Sequence, residues 1–504
     1  MTPSNQNFAT LVEATCRRHP SRPALFHERG ELSYGQLAGL VDGWTAALDA
    51  LGVGPGASVA LWLPNGPAFV VTFLATLRLG AVAAPLGALL AAREVEARLA
   101  VVRAPVLITT PALARQLGDL RITVVAVGPD DLPLEPAASR PAVPRSGDDL
   151  AVLISTSGTT GKAKAAELTH RGIAWNASAL ATGLAMGPDD VQLAVAPLSH
   201  VLGMSGVMNG TLLTGGALAL MERFDAPAAL ALMARTNVTG VLGAPSMFLA
   251  LIREARQAER PRPLRFAMSG GAALAPALTR DFEETFGCPV RDGYGMSEVG
   301  GGITLTPIST APKPGSVGPA LPGSELRIID LGTGAPLPAG ERGEVVLRSP
   351  SVMRGYLGDP EATRAALDPD GWLRTGDIGY LDDEGHVFLV DRKKELIIRS
   401  GYNVYPREVE EVLLEFPGVR EVAVVGAPDE DHGEEIVALI VASHDQLDPD
   451  AVKAFARQRL AAYKYPRHIF VVAELAKTPT GKVSKRAIDI RQLMSTRGAP
   501  EGSR

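Results

Sequence analysis

A chain of 504 residues is longer than one hydrophobic core usually supports, so at least two domains are expected, with room for a buried site. With 46% hydrophobic and 21% charged residues and a formal net charge of -6, it has average soluble composition and lacks the basic footprint of a nucleic-acid-binding protein. Its two cysteines, Cys16 and Cys288, have no C-x-x-C spacing, which argues against a disulfide framework and points to a reducing compartment.

In chain order, Met1-Thr2-Pro3-Ser4-Asn5-Gln6-Asn7 has neither a basic n-region nor an apolar h-region, so a cytoplasmic protein is expected. Ser33 opens a helical pattern with Leu37, Leu40, Val41, Trp44 and Leu48 near one face, closed by Gly52. A strand over 58–63 follows. Residues 69–85 are apolar but broken by Arg78 and Gly80 and too short to span a bilayer, so they predict a buried helix and then a strand. With a further strand over 105–108, this alternation predicts a parallel sheet with helices on its faces. A Pro- and Ala-rich connector over 132–144 carries no period and predicts a surface crossing.

Next comes Leu150-Ala151-Val152-Leu153-Ile154, a strand-like run leading into Ser155-Thr156-Ser157-Gly158-Thr159-Thr160-Gly161-Lys162-Ala163-Lys164. Glycines let the backbone approach a ligand, and successive N–H groups beside Ser and Thr hydroxyls converge naturally on an anion. It is not a P-loop. G-x-x-x-x-G-K-[ST] fails here because Thr156 stands at the first glycine and Ala163 follows Lys162. Alone, such a loop is as often an ordinary surface turn.

Beyond it the α/β alternation resumes: a helix over 171–184, a strand over 192–196, a helix after His200, a strand over 217–221, a helix through Leu230 and Met233, and a strand over 238–242. From Gly323 the pattern changes to short β runs over 325–329, 344–347 and 386–390. After Asp391-Arg392-Lys393-Lys394 a small α+β unit is expected, with an amphipathic helix on Val409, Val412, Leu413 and Phe416, strands over 419–425 and 436–441, a helix over 450–462 and a strand over 469–472. The predicted fold is α/β: a large N-terminal domain (1–393) of two α/β subdomains plus a β subdomain, then a small mobile α+β C-terminal domain (394–504).

Eight short motifs now stand in order. They are the 155–164 loop, Pro197-Leu198-Ser199-His200, Ser269-Gly270-Gly271-Ala272, Tyr294-Gly295-Met296-Ser297-Glu298, Thr375-Gly376-Asp377, Asp391-Arg392-Lys393-Lys394-Glu395-Leu396-Ile397, Gly401-Tyr402-Asn403-Val404-Tyr405-Pro406 and Pro479-Thr480-Gly481-Lys482. Together they resemble the ANL superfamily of adenylate-forming enzymes, nearest its acyl-CoA synthetases, over nearly the whole chain. The resemblance implies a two-step reaction. A carboxylic acid attacks the α-phosphate of ATP to give acyl-AMP and pyrophosphate, and the acyl group then passes to the thiol of coenzyme A.

The resemblance assigns roles residue by residue. Ser157, Gly158, Thr159, Thr160, Gly161 and Lys164 match the loop for the β- and γ-phosphates. Glu298 matches the Mg²⁺ ligand, and a hard oxygen donor suits that ion. Ser297 matches the contact to the α-phosphate, and Gly270, Gly271, Ala272, Asp292, Gly293 and Tyr294 the adenine slot, which Gly295 continues. Asp377 and Arg392 match the ribose contacts, Lys482 the catalytic lysine and Lys394 the hinge. Gly401 and Tyr402 match the face presented in the thioester step. His200 resembles a gate beside the acyl pocket, lined by Ser246, Met247, Gly271, Gly295, Met296 and Gly300-Gly301-Gly302. This small, apolar lining predicts a medium- or long-chain fatty acid, with an aryl or other small acid as the alternative. A carrier-protein phosphopantetheine in place of CoA, and a homodimer, stay open as partners; neither a nucleic acid nor a membrane span is expected. The chain departs from its relatives at Ser155 (commonly aromatic), Ala163 (Pro), Ala165 (Gly) and Ser297 (Thr). The loss of proline and glycine predicts a more helical or altered path over 163–166.

Overall fold

The computed structural model describes residues 6–128, 141–157, 163–257, 262–271, 274, 276–400, 402–429, 431–443, 447–477 and 483–496. The chain forms two compact units, one of Met1–Leu326, Val346–Arg374 and Asp383–Val387, the other of Arg327–Val345, Thr375–Asp382 and Phe388–Arg504.

Two large sheets dominate the first unit, beside the short pair Gly295–Met296 and Gly301–Gly302. The larger runs in the order Val290–Asp292, Phe266–Ser269, Gly240–Gly243, Val191–Ala194, Ala217–Leu220, Pro23–His27 and Gly30–Ser33, with every neighbouring pair parallel except the last. The other runs Thr123–Ala126, Val106–Thr109, Ser58–Trp62, Val82–Pro85, Leu150–Ser157 and Ala163–Thr169, again parallel until the final antiparallel pair. Strands such as Val82–Pro85, Val106–Thr109 and Phe266–Ser269 are buried throughout, which is why they read as continuous apolar runs rather than alternating ones.

Helices start where local chemistry directs them. Ser33 caps Tyr34–Ala50 through a reciprocal box: its Oγ accepts from the Gln36 N–H (3.2 Å), and Gln36 Oε1 accepts from the Ser33 N–H (2.8 Å). Pro67–Arg78 is buried on every side, with proline at its first turn. At its end, Glu13 (3.1 Å) and Asp42 (2.7 Å) both pair with the buried Arg78 guanidinium.

One expectation is corrected and another is refined. Residues 163–166 are not helical: Ala163 pairs with Ser157 and Ala165 with Ser155, inside the strand Ala163–Thr169. Alanine tolerates the extended backbone, and the ladder supplies the constraint that proline and glycine would have supplied locally. The helix after His200 begins as a π-helix, Leu202–Asn209, before one α-helical stretch, Gly210–Thr214. Gly203 permits this, since a Cβ there would lie 2.2 Å from the Pro197 carbonyl oxygen. The pairing of Pro23–His27 with Ala217–Leu220 carries no local sequence signal, because the partner is far along the chain.

A four-stranded sheet follows in the order Glu325–Ile329, Gly343–Arg348, Leu373–Leu381, Val387–Arg392. In the second unit a five-stranded sheet runs Tyr402–Val404, Ile397–Arg399, Gly433–Ala442, Val419–Asp429, with His468–Val471 also on Gly433–Ala442. Helices Pro406–Leu414 and Pro449–Arg459 cover it through Val409, Leu413, Val452 and Ala456. Among the described residues no helix is long and apolar enough to cross a membrane.

His170, fully buried at the start of helix His170–Gly183, accepts the Phe8 N–H at Nδ1 (3.2 Å) and so fixes helix Phe8–Arg18. Burial, reinforced by Arg145, lowers its pKa from 6.5 to about 4. Between those values the unfolded chain binds a proton that the folded chain does not. Stability should therefore fall as pH falls through this window, by about 3 kcal/mol at its lower end. Urea unfolding between about pH 7 and pH 4 checks this: His170→Gln should show the shallower decline.

Candidate active site

The predicted nucleotide residues of the first unit gather at the carboxyl ends of parallel strands, where open α/β sheets bind ligands. Ser269 and Asp292 are register partners ending adjacent strands, and Gly243 pairs with Ser269 on the other side. Gly270 donates its N–H to the Gly243 carbonyl (3.1 Å), and Gly293 donates to the Ser269 carbonyl (3.1 Å). Gly271 has φ of 85°, a backbone conformation that favours glycine. Tyr294 is buried, its N–H donating to Thr304 Oγ1 (3.1 Å), while Gly295 is exposed. The surface at these strand ends is thus mostly backbone.

His200 is exposed after the neighbouring strand Val191–Ala194, and its Nδ1 accepts from the Leu202 N–H (3.4 Å). Leu202 joins this segment to the slot: a Cβ built on Gly270 would meet Leu202 Cδ1 at 3.4 Å. Behind it Val201, Met204, Val207 and Met208 are buried. Of the other acyl-slot residues, Ser246 is exposed and Met247 half-buried at the start of helix Pro245–Ala255, which follows strand Gly240–Gly243.

Lys164 and Glu298 meet through a residue that sequence reasoning missed. Residues 353–357 lie along the strand Ala163–Thr169: Leu357 donates its N–H to the Ala165 carbonyl (2.8 Å), Glu167 to Gly355 (2.9 Å) and Arg354 to Glu167 (2.9 Å). This places Tyr356 between the two. Its hydroxyl donates to Glu298 Oε1 (2.8 Å), and Lys164 Nζ lies 5.0 Å from its ring centroid. Burial, with the Glu298 charge, raises the Tyr356 pKa, so it stays a donor.

Ser297 and Glu298 lie in the short 3-10 turn Ser297–Val299, ended by Gly300 at φ 66°. The turn and the glycines after it are held by their carbonyls from two sides. Asn176 Nδ2 donates to Gly302 (2.7 Å) and Val299 (3.3 Å), Ser205 Oγ donates to Gly300 (2.5 Å), and Met353 N–H donates to Glu298 (2.8 Å). Gly301 leaves no room for a side chain, since a Cβ would lie 2.3 Å from Asn176 Oδ1. No local pattern marks Asn176, Ser205 or Tyr356; each contributes through a partner remote in sequence. Glu298 offers a half-buried, hard carboxylate oriented by a neutral hydroxyl. Mg²⁺, which takes one or two protein carboxylates and completes its shell with phosphates and water, fits that donor.

In the second unit Asp377 follows Gly376 (φ 71°), and its N–H donates to Thr375 Oγ1 (3.0 Å). Its carboxylate is 3.4 Å from Arg392 Nε, so the two predicted ribose residues are neighbours. Lys394 is exposed, and Tyr402, 56% exposed, stacks on Tyr463 with centroids 4.6 Å apart. Ser157 is described only as the strand partner of Ala163. Gly158, Thr159, Thr160, Gly161, Ala272, Gly401 and Lys482 lie outside the described residues.

Residues 12–357 match the AMP-binding enzyme family and residues 408–482 its C-terminal domain. A feruloyl-CoA synthase from Amycolatopsis sp is 36% identical over 95% of this chain and 98% of its own length, and a long-chain-fatty-acid–CoA ligase from Bacillus subtilis is 31% identical over 96% and 94%. Among solved structures, ATP-bound MatB from Rhodopseudomonas palustris superposes with a TM-score of 0.88 at 31% identity, over 96% of this chain and 98% of that one. The chain belongs to the AMP-binding enzyme family, in the acyl-CoA synthetase branch of the ANL superfamily. It is an AMP-forming acid–CoA ligase, with ATP and coenzyme A as co-substrates and Mg²⁺ as the family's metal.

Tyr356→Phe keeps the ring under Lys164 and removes the bond to the Glu298 carboxylate. A hydrogen bond to a charged group contributes about 1.5–3 kcal/mol, so pyrophosphate formation should slow roughly tenfold or more and need more Mg²⁺ for half-maximal rate. An unchanged Mg²⁺ titration would show that the hydroxyl does not set Glu298.

Proposed function

We propose that this ligase activates an apolar carboxylic acid, a medium- or long-chain fatty acid in the leading reading, first to acyl-AMP and then to the CoA thioester. What carries the reading is the wall behind His200: Val201, Met204, Val207 and Met208 are buried beside Leu202 and Gly270, with no cation among the residues assigned to the acyl slot. A second carboxylate on the substrate would call for one. An aryl acid is the second reading, favoured by the 36% identity to the feruloyl-CoA synthase.

The roles follow from charge. Negative charge builds on the phosphates as pyrophosphate leaves, and fixed donors and cations that await it lower the barrier. Backbone N–H groups and hydroxyls of 157–161 with Lys164 hold the β- and γ-phosphates, and Ser297 holds the α-phosphate. Glu298 would hold Mg²⁺, which supplies further neutralisation of the triphosphate. Asp377 accepts from the ribose hydroxyls with Arg392 beside it, and the strand-end glycines take the adenine. Lys482 bridges the acid's carboxylate and the α-phosphate during adenylation. Residues 394–504 act as a lid turning about Lys394, presenting Lys482 for the first step and the Gly401-Tyr402 face for the second. His200 gates the acyl pocket. A carrier-protein phosphopantetheine is a further proposed acceptor beside CoA, and the two free, buried cysteines suit a cytoplasmic setting.

A pyrophosphate-release screen over saturated, aryl and dicarboxylic acids should give its highest kcat/KM with a C8–C16 fatty acid; preference for a cinnamic acid would establish the second reading, and preference for a dicarboxylate would reject both. Lys482→Ala should slow adenylation by about a hundredfold or more while thioester formation from supplied acyl-AMP is spared. Equal losses in the two half-reactions would remove Lys482 from the role assigned to it.

A further inference from the structure

Lys485 lies three residues beyond Lys482 and has no part in the chemistry above. Its side chain is only 17% exposed, yet three carboxylates surround it. Nζ is 2.7 Å from Glu410 Oε1 and 3.3 Å from Glu395 Oε2. Glu410 belongs to helix Pro406–Leu414, and the same oxygen accepts the Val424 N–H (2.7 Å) from strand Val419–Asp429. Glu395 ends the turn Lys393–Glu395, which contains Lys394.

Asp391 completes the group. Its Oδ1 accepts from the Arg392 N–H (2.7 Å) and its Oδ2 from the Arg407 N–H (2.9 Å), in the first turn of helix Pro406–Leu414. Tyr405 at that helix's N-cap makes no side-chain capping bond, so Asp391 supplies the cap. Burial raises the pKa of Asp391 and of Glu410. For Lys485, burial opposes the charge, and Glu410, Glu395 and Asp391 outweigh it. One enclosed cation therefore serves three carboxylates, and its removal would leave them facing one another.

The segment around Lys482 is fixed at both flanks. Lys477 and Val483 form an antiparallel bridge, Ser484 donates its N–H to the Ala476 carbonyl (2.7 Å), and Lys477 Nζ pairs with Glu421 (2.8 Å). Lys485 is the point at which this neck also joins the hinge turn and the helix.

We propose that Lys485 is a positioning residue for adenylation: its ion pairs with Glu395 and Glu410 lock the neck of the lysine segment to the hinge turn, so that the setting of the hinge fixes the reach of Lys482. This inference rests on the role given to Lys482 above. A displaced general acid or electrostatic clamp loses rate steeply, because about 1 Å of misplacement costs up to a hundredfold.

The test measures both half-reactions in the full chain, adenylation by pyrophosphate release and thioester formation from supplied acyl-AMP. Lys485→Met should lower the adenylation kcat about tenfold or more with KM for ATP within about threefold, and leave thioester formation within about twofold. Lys485→Arg, which keeps the cation, should restore adenylation to within about threefold. In a Lys482→Ala background Lys485→Met should add no further loss, since a residue acting through Lys482 has nothing left to position. Should Lys485→Met fail to fold, Glu395→Gln decides: it cuts the link to the hinge turn alone and should slow adenylation by about threefold or more, again without effect in the Lys482→Ala background. Unchanged adenylation, equal losses in both half-reactions, or a loss that multiplies that of Lys482→Ala would overturn the proposal. Lys482→Ala with normal adenylation would instead overturn the reading on which it rests.

Discussion

The antiparallel pairing of Ala163–Thr169 with Leu150–Ser157 is the constraint on which the first unit's site depends. It turns the exit of a phosphate-type loop into a rigid strand, and that strand accepts residues 353–357 along its other edge. Tyr356 arrives by this route with its ring near Lys164 and its hydroxyl on Glu298. Lys164 and Glu298, the cation and carboxylate proposed to share one triphosphate, are thereby spaced by an aromatic ring. Direct pairing would let each neutralise the other; the spacing leaves both available to a ligand.

The turn that bears Glu298 shows how positional accuracy is obtained without a regular element. Ser297–Val299 is a single 3-10 turn, too short to be stable on its own. Asn176 and Ser205, on two different helices, bind the carbonyls of Val299, Gly300 and Gly302, and Gly301 leaves room for both side chains against the backbone. The second unit uses charge for a similar purpose. Asp391, Lys393 and Glu395 around Lys394, the proposed hinge, each pair with a different partner, Arg407, Glu344 and Lys485, so the turn is defined by contacts on either side of Lys394.

Much of the fold was legible because the local signals agreed with the global arrangement. The helix start at Ser33, the buried helix at Pro67–Arg78 and the continuous apolar strands each occur where composition and periodicity placed them. The path of 163–166 was read wrongly because the expectation weighed the propensity of alanine and not the ladder partner across the loop. The helix after His200 was expected but not its π form, which goes with the close approach of Gly203 to the Pro197 carbonyl six residues back and leaves no mark on hydrophobic periodicity.

By itself the sequence determined the α/β class, the family and the order of the motifs, because glycine, proline, hydroxyl and charged residues at fixed short spacings report local backbone needs directly. Tertiary structure alone decided that Tyr356 links Lys164 to Glu298, that Asn176 and Ser205 hold the Glu298 turn, that Asp391 caps helix Pro406–Leu414, and that Lys485 is paired with carboxylates of both the Lys393–Glu395 turn and that helix. Those are contacts between residues far apart in the chain, whose energies come from burial and exclusion of water, and no window of sequence contains both partners.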